Sequence, residues 1–337
     1  MDLTEKVRQK VVTEILEGKY SPGEKLPTER DMAELTGTSR ITVRRAYEQL
    51  EIAGIITRRP SAGTCVSEVF TGNTNAIDSI AIIATLKDPF SVDFIDAVNR
   101  ICSEDDILNI LGIAEEEPEE QAKMAIRFAA RGIKNMIVWG FDKRFDFKIF
   151  ERMRVLGINM VFFDRIIPGA FADYVGLNNH DAINMLFKKA LQEKPEKCIF
   201  FDISGLFIDT NAERKNTFIE LCRKHRLPYE LCSVPLHARY HDFESAAKDF
   251  MSEAGNGRTA VFCVNDTVAT SLFSHVPADL KIYSIDGTET AREMGIISYR
   301  QPIRKMAAAT IAALKNQQRL GAGWRAKEYY FKGDISD

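Results

Sequence analysis

The spacing of apolar residues predicts a short amphipathic helix that follows Ser39. The apolar residues of this stretch recur at intervals of three and four, the period of one helical face: Val43, Ala46, Tyr47 and Leu50. Ser39 is suited to cap the helix, because its hydroxyl can accept hydrogen bonds from the free N–H groups of the first turn. The opposite face is polar and basic except for Ile41, an apolar side chain where water is expected. Such a residue beside arginines fits contact with a thymine methyl group in a DNA major groove.

The segments on either side complete a small domain. A shorter helix is predicted over 29–35, with Thr28 as its cap, and the turn 36–38 contains the glycine typical of a helix-turn-helix. Two β-like runs, 55–57 and 64–66, follow the second helix and enclose a turn-rich tip. This order of elements favours a DNA-binding domain with a β-hairpin wing over the alternative, an ordinary basic helix exposed to water.

Residues 20–66 resemble the winged helix-turn-helix of the GntR family of bacterial transcription regulators. The motifs that carry the resemblance are PGEKLPTER, SRITVRRA and the GTCV that closes the hairpin. The resemblance implies DNA contacts from both helices and from the wing: Arg30, Ser39, Arg40, Thr42, Arg44 and, at the minor groove, Gly63. The family usually has a basic residue between two glycines at the wing tip, where this chain has Pro60-Ser61-Ala62. We add Arg45, which lies on the polar helix face, and Arg58, which can reach phosphate from beside the uncharged tip.

Composition limits the remaining choices. At 337 residues the chain is expected to hold two or three domains, and a content of 45% hydrophobic and 28% charged residues is typical of a globular protein. It has no apolar run of the about 18 residues that a membrane span needs, and its N-terminus lacks the apolar core of a secretory signal. We therefore expect no membrane partner and a cytoplasmic location. The six cysteines show no CxxC spacing, so we expect buried free thiols and neither a metal nor another cofactor.

The net charge of −3 indicates that positive charge is local rather than general. Residues 39–60 contain five arginines and two glutamates. Because neutralisation of phosphates sets the sequence-independent part of DNA affinity, we expect site-directed binding with weak general affinity for DNA.

The pattern changes after the hairpin and predicts three parts: a winged helix-turn-helix domain over 1–68, a linker over 69–78 and an α/β domain over 79–337. The stretch 67–78 is rich in small polar residues and long enough to let the two domains move separately. From residue 79 onward, apolar runs alternate with helical segments, the pattern of parallel sheets covered on both faces. The runs are 80–84, 107–113, 136–139, 160–163, 198–203, 260–264 and 282–285. Their extent predicts two α/β lobes.

Residues 79–319 resemble the effector domain of LacI/GalR regulators and the related periplasmic sugar-binding proteins. The resemblance rests on the order of DPFSVDFIDAV, FFDRIIPGAFADYVGLNN, VNDTVA, YSIDG and ISYRQPIRKM. It implies a two-lobed fold of the type I periplasmic-binding-protein kind, with crossings between the lobes near 177–180, 287–291 and 299–303. It also implies a set of ligand contacts: Asp88, Phe90 by stacking, Asp142, Arg165, Arg214, Asn265, Asp286 and Gln301. The combination with a GntR-type domain resembles regulators of the arabinose-repressor type.

The loops after the strands carry the candidate ligand chemistry, because ligands of open parallel sheets bind beyond the carboxyl ends of the strands. These loops are rich in Asp, Asn, Arg and aromatic residues, which suit a monosaccharide-like effector with many hydroxyl groups. Arg165 and Arg214 would equally suit a carboxylate or a phosphate. An Asp after a strand can instead cap a helix, and Phe90 can instead belong to the core. His237 and His241 would suit a metal on a helix, but a loop at the cleft mouth is the preferred interpretation.

These features predict a sugar-responsive transcription regulator of carbohydrate-utilisation genes, a repressor that acts as a homodimer on double-stranded operator DNA. No G-x-G-x-x-G, G-x-x-x-x-G-K-[ST] or G-x-S-x-G motif occurs, so we expect no enzymatic activity. Two alternatives stay open: an enzyme built on the α/β domain, and a small-molecule sensor that acts without specific DNA binding.

Overall fold

The computed structural model describes most of the chain. The described residues are 2–59, 63–67, 77–85, 89–114, 118–142, 144, 146–235, 258–277 and 280–335. The predictions for Asp88, for His237 and His241, for the wing tip and for most of the linker 69–78 lie outside them.

The N-terminal part, here called the winged domain (residues 2–67), contains the predicted helix-turn-helix and hairpin. Its elements are α1 (Leu3–Leu16), α2 (Glu29–Thr36), α3 (Arg40–Ile52), β1 (Ile56–Arg59) and β2 (Gly63–Val66), the last two paired antiparallel. Both predicted caps form. Thr28 Oγ1 accepts from the N–H of Asp31 at 3.3 Å, and Ser39 Oγ accepts from the N–H of Thr42 at 3.1 Å.

The turn and the apolar face of α3 hold this domain together. Gly37 ends α2 with a φ of 62°, a left-handed conformation that glycine adopts at little cost, and so directs the chain into α3. The predicted apolar stripe of α3 is fully buried: Val43, Ala46, Tyr47 and Leu50. The hydroxyl of Tyr47 donates to the carbonyl of Pro27 at 2.8 Å, which ties α3 to the segment before α2.

The first lobe of the α/β domain, the N-lobe, is built on a six-stranded parallel sheet with strand order β13-β7-β6-β5-β3-β4. The strands are β3 (Ser79–Ala84), β4 (Leu108–Ile113), β5 (Asn135–Val138), β6 (Asn159–Phe163), β7 (Asp173–Leu177) and β13 (Glu328–Phe331). Its helices are α4 (Pro89–Glu104), α5 (Pro118–Ala130), α6 (Phe147–Val155) and α11 (Ile303–Leu320). The central strands are buried, as their near-continuous apolar sequence predicts.

The second lobe, the C-lobe, has the same architecture. Its strands are β8 (Lys197–Ser204), β9 (Tyr229–Pro235), β10 (Thr259–Cys263), β11 (Ile282–Asp286), β12 (Ile297–Arg300) and β14 (Asp334–Ile335). Its described helices are α7 (Asn179–Leu191), α8 (Asp209–His225), α9 (Asp266–Leu272) and α10 (Glu289–Glu293). The strand order is β14-β12-β11-β10-β8-β9, parallel except for β14, which runs antiparallel to β12.

The chain passes between the lobes after β7, after β12 and after β13. The first two passages agree with the crossings predicted near 177–180 and 299–303. The crossing predicted near 287–291 is wrong, because β11, α10 and β12 are successive elements of the C-lobe. The third crossing instead joins β13 to β14 through Lys332 and Gly333, where the N–H of Gly333 donates to the hydroxyl of Tyr299 at 2.7 Å.

The winged domain packs directly against the N-lobe, in contrast to the expectation that a linker leaves the two domains free to move separately. Helix α1 contacts both α3 and α5. Val7 and Leu16 are fully buried although they lie on opposite sides of α1, at roughly 100° per residue. Because both sides are covered, the apolar core of the winged domain continues without interruption into that of the N-lobe.

Polar contacts fix the orientation of this interface. Arg152 of α6 donates through Nη1 to the carbonyl of Leu16, at the end of α1 where carbonyl groups lack helical partners. Arg131, just after α5, pairs with Glu5 of α1 at 2.8 Å. A side-chain carbon added at Gly132 would lie 3.1 Å from Cβ of Ala53, so the two domains approach closely here.

Among the described residues, no helix has both the length and the apolar composition needed to cross a membrane.

Arg152→Ala is expected to loosen the docking of α1, because it removes a charged hydrogen-bond donor worth about 1.5–3 kcal/mol. In native-state hydrogen exchange, the amides of α1 should exchange at least about tenfold faster while those of α7 keep their rates. Lys148→Ala, an exposed change on the same helix, is the matched control. Equal protection of α1 in both variants would contradict a fixed interface.

Candidate functional site

Two places gather the candidate functional residues: the exposed surface of the winged domain and the space between the lobes. On the winged domain, six of the residues predicted to contact DNA are exposed: Arg30, Ser39, Arg40, Arg44, Arg45 and Gly63. Thr42 and Arg58 are partly buried. Ile41, the apolar residue predicted on the polar face of α3, is 66% exposed. The face is therefore accessible, and its contact with DNA stays a prediction.

Several of these residues also have a role within the fold. The hydroxyls of Ser39 and Thr42 lie 2.9 Å apart at the start of α3, where Ser39 is the cap. Gly63 has a φ of 83°, and a side-chain carbon there would meet Cε of Lys25 at 3.0 Å. The backbone thus requires a glycine at the start of β2, whether or not it approaches a minor groove.

The second place is a cavity of about 260 Å³ between the lobes, at the carboxyl ends of the central strands. Five of the eight predicted ligand contacts line it: Phe90, Arg165, Arg214, Asn265 and Asp286. Phe90 is only 5% exposed and packs edge-on against Trp139, with ring centroids 5.4 Å apart. Phe90 therefore belongs to the core and also forms part of the cavity wall, while its stacking on a ligand stays a prediction.

The two cavity arginines are held in place by the protein. Arg214 is 4% exposed; its Nε donates to Oδ1 of Asn179 at 2.7 Å and its Nη1 to the carbonyl of Val264 at 2.8 Å. The guanidinium of Arg165 lies over the ring of Trp139, 5.7 Å from its centroid. A cationic side chain thus lines the cavity from each lobe.

Asn265 and Asp286 are positioned by the C-lobe. Asn265 caps α9 by accepting from the N–H of Val268 at 3.0 Å. Oδ1 of Asp286 accepts from Nε2 of Gln301 at 2.9 Å. Gln301 supports Asp286 and is not among the residues that line the cavity, so its contact with a ligand stays a prediction.

Asp142 joins the two lobes and is not among the residues that line the cavity, so its predicted contact with a ligand stays untested. It is fully buried, and its Oδ2 accepts from the backbone N–H of Phe207, in the C-lobe loop after β8, at 3.1 Å. Arg144 donates to the same oxygen at 2.9 Å and lies over the ring of Phe207. Burial alone would raise the pKa of Asp142, but these hydrogen bonds outweigh it and hold the pKa below its ordinary value.

A second pair of bonds closes the same cleft. The backbone N–H of Ile167, in the N-lobe, donates to Oδ2 of Asp209 at 3.1 Å. The N–H of Asp209, in the C-lobe, donates to the carbonyl of Arg165 at 2.9 Å. Together with the bonds of Asp142, these contacts join the lobes across the cleft, and we call this set of bonds the latch.

Two cavity residues that carry hydrogen-bond donors were not predicted from the sequence. Nε1 of Trp139 and Nδ2 of Asn211 are buried without a hydrogen-bond partner in the described part of the chain, and both residues line the cavity. A buried donor without a partner costs about 1–3 kcal/mol, so an oxygen atom of a ligand would be favourable beside either one. Trp139 stood at the end of the apolar run 136–139, and that place at the carboxyl end of a strand was the signal that could have identified it.

A larger, open groove of about 840 Å³ lies between the winged domain and the N-lobe. Its charged side chains are largely paired with one another, as Arg8 is with Glu5 and Lys123 with Glu120. Since these charges already have partners, the cavity between the lobes is the better candidate for a small-molecule site.

Comparison with known proteins identifies the winged domain. Residues 3–66 match the family described as bacterial regulatory proteins, gntR family. The chain is 42% identical over 65 residues to the HTH-type transcriptional regulator GgaR of Escherichia coli (strain K12), which covers 19% of this chain and 26% of that protein. The chain thus spans about a quarter of the length of the curated relatives it matches first. Its N-terminal domain is a GntR-type winged helix-turn-helix, as predicted.

The α/β domain is similar to solved structures in its fold. One is the periplasmic binding protein component of the arabinose ABC transporter from Shewanella sp. ANA-3, bound to alpha and beta-L-arabinofuranose, with a TM-score of 0.67, 14% identity and coverage of 77% of this chain and 91% of that chain. Another is a LacI family transcriptional regulator from Enterococcus faecium with bound ribose, with a TM-score of 0.62, 16% identity and coverage of 77% and 97%. The predicted two-lobed, periplasmic-binding-protein-like fold is therefore confirmed.

Trp139→Phe is expected to weaken effector binding by about fivefold and to cost the unliganded protein less stability than the same change at Trp324, since both changes remove equal volume. The change removes an indole N–H that has no partner among the described residues, and a hydrogen bond to a ligand is worth about 1 kcal/mol. Trp324→Phe is the matched control, because Nε1 of Trp324 donates to Asp173 at 3.2 Å and its loss should lower the melting temperature further. Calorimetric titration and thermal melting of both variants measure the two effects.

Asp142→Asn is expected to open the cleft, because it weakens the hydrogen bonds that join the lobes. X-ray scattering without ligand should show a larger radius of gyration, and effector affinity should fall by roughly tenfold as the closed state loses population. Asp146→Asn in the same loop is the control, since Asp146 is exposed and its bond in the described part of the chain caps α6. Identical scattering of the Asp142 variant and the wild type would exclude Asp142 from the latch.

A pH series is the second check on this role of Asp142. Because the pKa of Asp142 is lower in the folded protein, its stabilising contribution is complete above the ordinary pKa of an aspartate and disappears as the pH falls through the lowered value. Scattering of the wild type between about pH 8 and pH 5 should therefore show no opening. Opening within that window would contradict the assignment.

Proposed function

We propose that the chain is a transcription repressor of carbohydrate-utilisation genes whose operator affinity is set by a monosaccharide in the cavity between the lobes. The observation that carries the proposal is the docking of a GntR-type winged domain onto a lobe that forms half of that cavity. A cytoplasmic location follows from DNA as the partner.

The chemistry of the cavity supports a neutral, polyhydroxylated effector. Its volume of about 260 Å³ suits a single sugar ring. Acidic and basic side chains line it together, with Asp164 and Asp286 beside Arg165 and Arg214. Carboxylates accept from hydroxyl groups and guanidinium groups donate to them, whereas a ligand with only anionic groups would meet repulsion from the two aspartates. Ribose and arabinofuranose are the bound sugars of the two similar structures.

A homodimer is part of the proposal. Each chain supplies one helix of the kind that reads half a site, and a two-fold pair of such helices matches a palindromic operator. The docking of α1 onto α5 supports a direct coupling, because a lobe that moves carries α3 with it. A sugar that binds the closed and open cleft with different affinity would then change the spacing of the paired helices, and only that difference can shift the equilibrium.

Arg40→Ala is expected to lower specific DNA affinity by about tenfold or more, because one good base contact is worth about 1–3 kcal/mol. The probe is duplex DNA that the wild-type protein enriches from a random pool, with a scrambled duplex for comparison. Lys6→Ala, an equal loss of charge at an exposed position of α1, is the control. Unchanged preference for the enriched duplex in the Arg40 variant would remove α3 as the recognition helix.

A thermal-shift screen tests the effector. The panel holds neutral pentoses and hexoses, uronic acids and sugar phosphates, and a ligand at a hundredfold excess over Kd stabilises the native state by about 2.7 kcal/mol. A neutral sugar should raise the melting temperature, and addition of that sugar should release the enriched duplex. A response to phosphorylated sugars alone would reassign Arg165 and Arg214 to anion binding.

A further inference from the structure

Glu29 occupies the junction of three elements of the winged domain. It is the first residue of α2, directly after the cap Thr28, and its side chain is 21% exposed. Its Oε2 and Oε1 accept from Nε of Arg44, on α3, at 3.3 Å and 3.4 Å. The guanidinium of Arg58, on β1, lies 4.0 Å away. One carboxylate thus faces two of the arginines that are candidates for DNA contact.

The contact with Arg44 leaves the far end of that side chain available. In the described part of the chain, the hydrogen bonds of the Arg44 guanidinium go to Glu29 and use Nε alone. The side chain is 58% exposed, so its two terminal nitrogens are accessible. These two nitrogens form the fork that donates two parallel hydrogen bonds to O6 and N7 of guanine, or to two oxygens of a phosphate.

A second carboxylate and a backbone group hold Arg58 in the same cluster. Nη2 of Arg58 donates to the carbonyl of Arg44 at 3.3 Å, and its Nε lies 3.4 Å from Oε2 of Glu51. The wing is therefore connected to the middle of α3 next to the Glu29 contact. An exposed arginine without such a neighbour samples many rotamers and loses that freedom when it binds.

The stability of the domain does not explain this arrangement. Ion pairs with exposed partners contribute little to folding, because water and salt screen the charges. An acidic residue in the first turn of a helix does favour the helix dipole. That structural role concerns α2 alone, and it would be served equally by a carboxylate that pointed away from α3.

We propose that Glu29 is a positioning residue for operator recognition, which orients Arg44 through Nε so that its terminal nitrogens face a base or phosphate. The inference rests on the proposed function, since it requires specific DNA binding. Glu29 has a second effect through its charge: it offsets part of the positive charge of Arg44 and Arg58 and so lowers affinity for unrelated DNA.

Two variants separate orientation from charge. Glu29→Gln keeps a carbonyl oxygen that can accept from Nε of Arg44 but loses the negative charge, whereas Glu29→Ala loses both. Glu17→Gln, exposed at the end of α1, makes the same change in net charge away from the cluster. Thermal melting confirms that each variant is folded before DNA is added.

The probes are the duplex enriched by the wild-type protein, its single-base variants and a scrambled duplex. The base pair at which Arg44→Ala no longer distinguishes the single-base variants from the enriched duplex is the base pair that Arg44 contacts. At that position Glu29→Ala should lose about tenfold of discrimination, while Glu29→Gln keeps most of it. Both variants should bind the scrambled duplex more tightly than the wild type, with a steeper dependence on salt than Glu17→Gln shows.

Each result has a definite meaning. Loss of discrimination confined to the Arg44 position, with no further loss in the double variant Glu29→Ala and Arg44→Ala, supports positioning. An unchanged base profile in Glu29→Ala, or a uniform weakening at every position, overturns it in favour of a structural role in α2. Failure of the wild type to enrich any duplex overturns the proposed function and this inference with it.

Discussion

The burial of α1 from two opposite sides is the constraint on which the rest of the structure depends. A surface helix usually buries one stripe, but α1 contacts both α3 and α5, and residues as far apart around the helix as Val7 and Leu16 are buried. Separation of the domains would expose apolar surface to water at a cost of about 25 cal/mol for each Å². The position of the helix that carries Arg40 and Arg44 is therefore defined relative to the sheet of the N-lobe, and not by the length of the linker.

Contacts within the protein also define the cleft between the lobes. Its two sides are joined by protein contacts, in which Asp142 and Asp209 each bond to the opposite lobe. Beside the cavity, Arg214 and Asp286 are held by Asn179 and Gln301, so their polar groups need little rearrangement to meet a ligand. Among the described residues, two buried donors of the cavity wall lack partners, and this imbalance favours a ligand rich in oxygen atoms.

Local patterns made the winged domain predictable, because its caps, its glycine turn and the apolar stripe of α3 depend on residues close in sequence. The two-lobed fold was also predictable, from its apolar runs and motif order. The pairing of β13 with β7 was not, because it joins strands far apart in the chain. The cavity shows the same limit. A loop after a strand is recognisable in sequence. The hydrogen-bond partners of Asp142 and Gln301 are distant in the chain, however, and only the fold shows that the polar groups of these two side chains bond to other protein residues.

The third crossing between the lobes also affects the order in which the lobes can be completed during translation. The winged domain is one continuous segment, whereas the N-lobe needs α11 and β13, which are translated after most of the C-lobe. Until they emerge, the edge of β7 and the face of α4 that packs on α11 have no cover. The lobe that begins first in the sequence is therefore completed only when nearly the whole chain has been made.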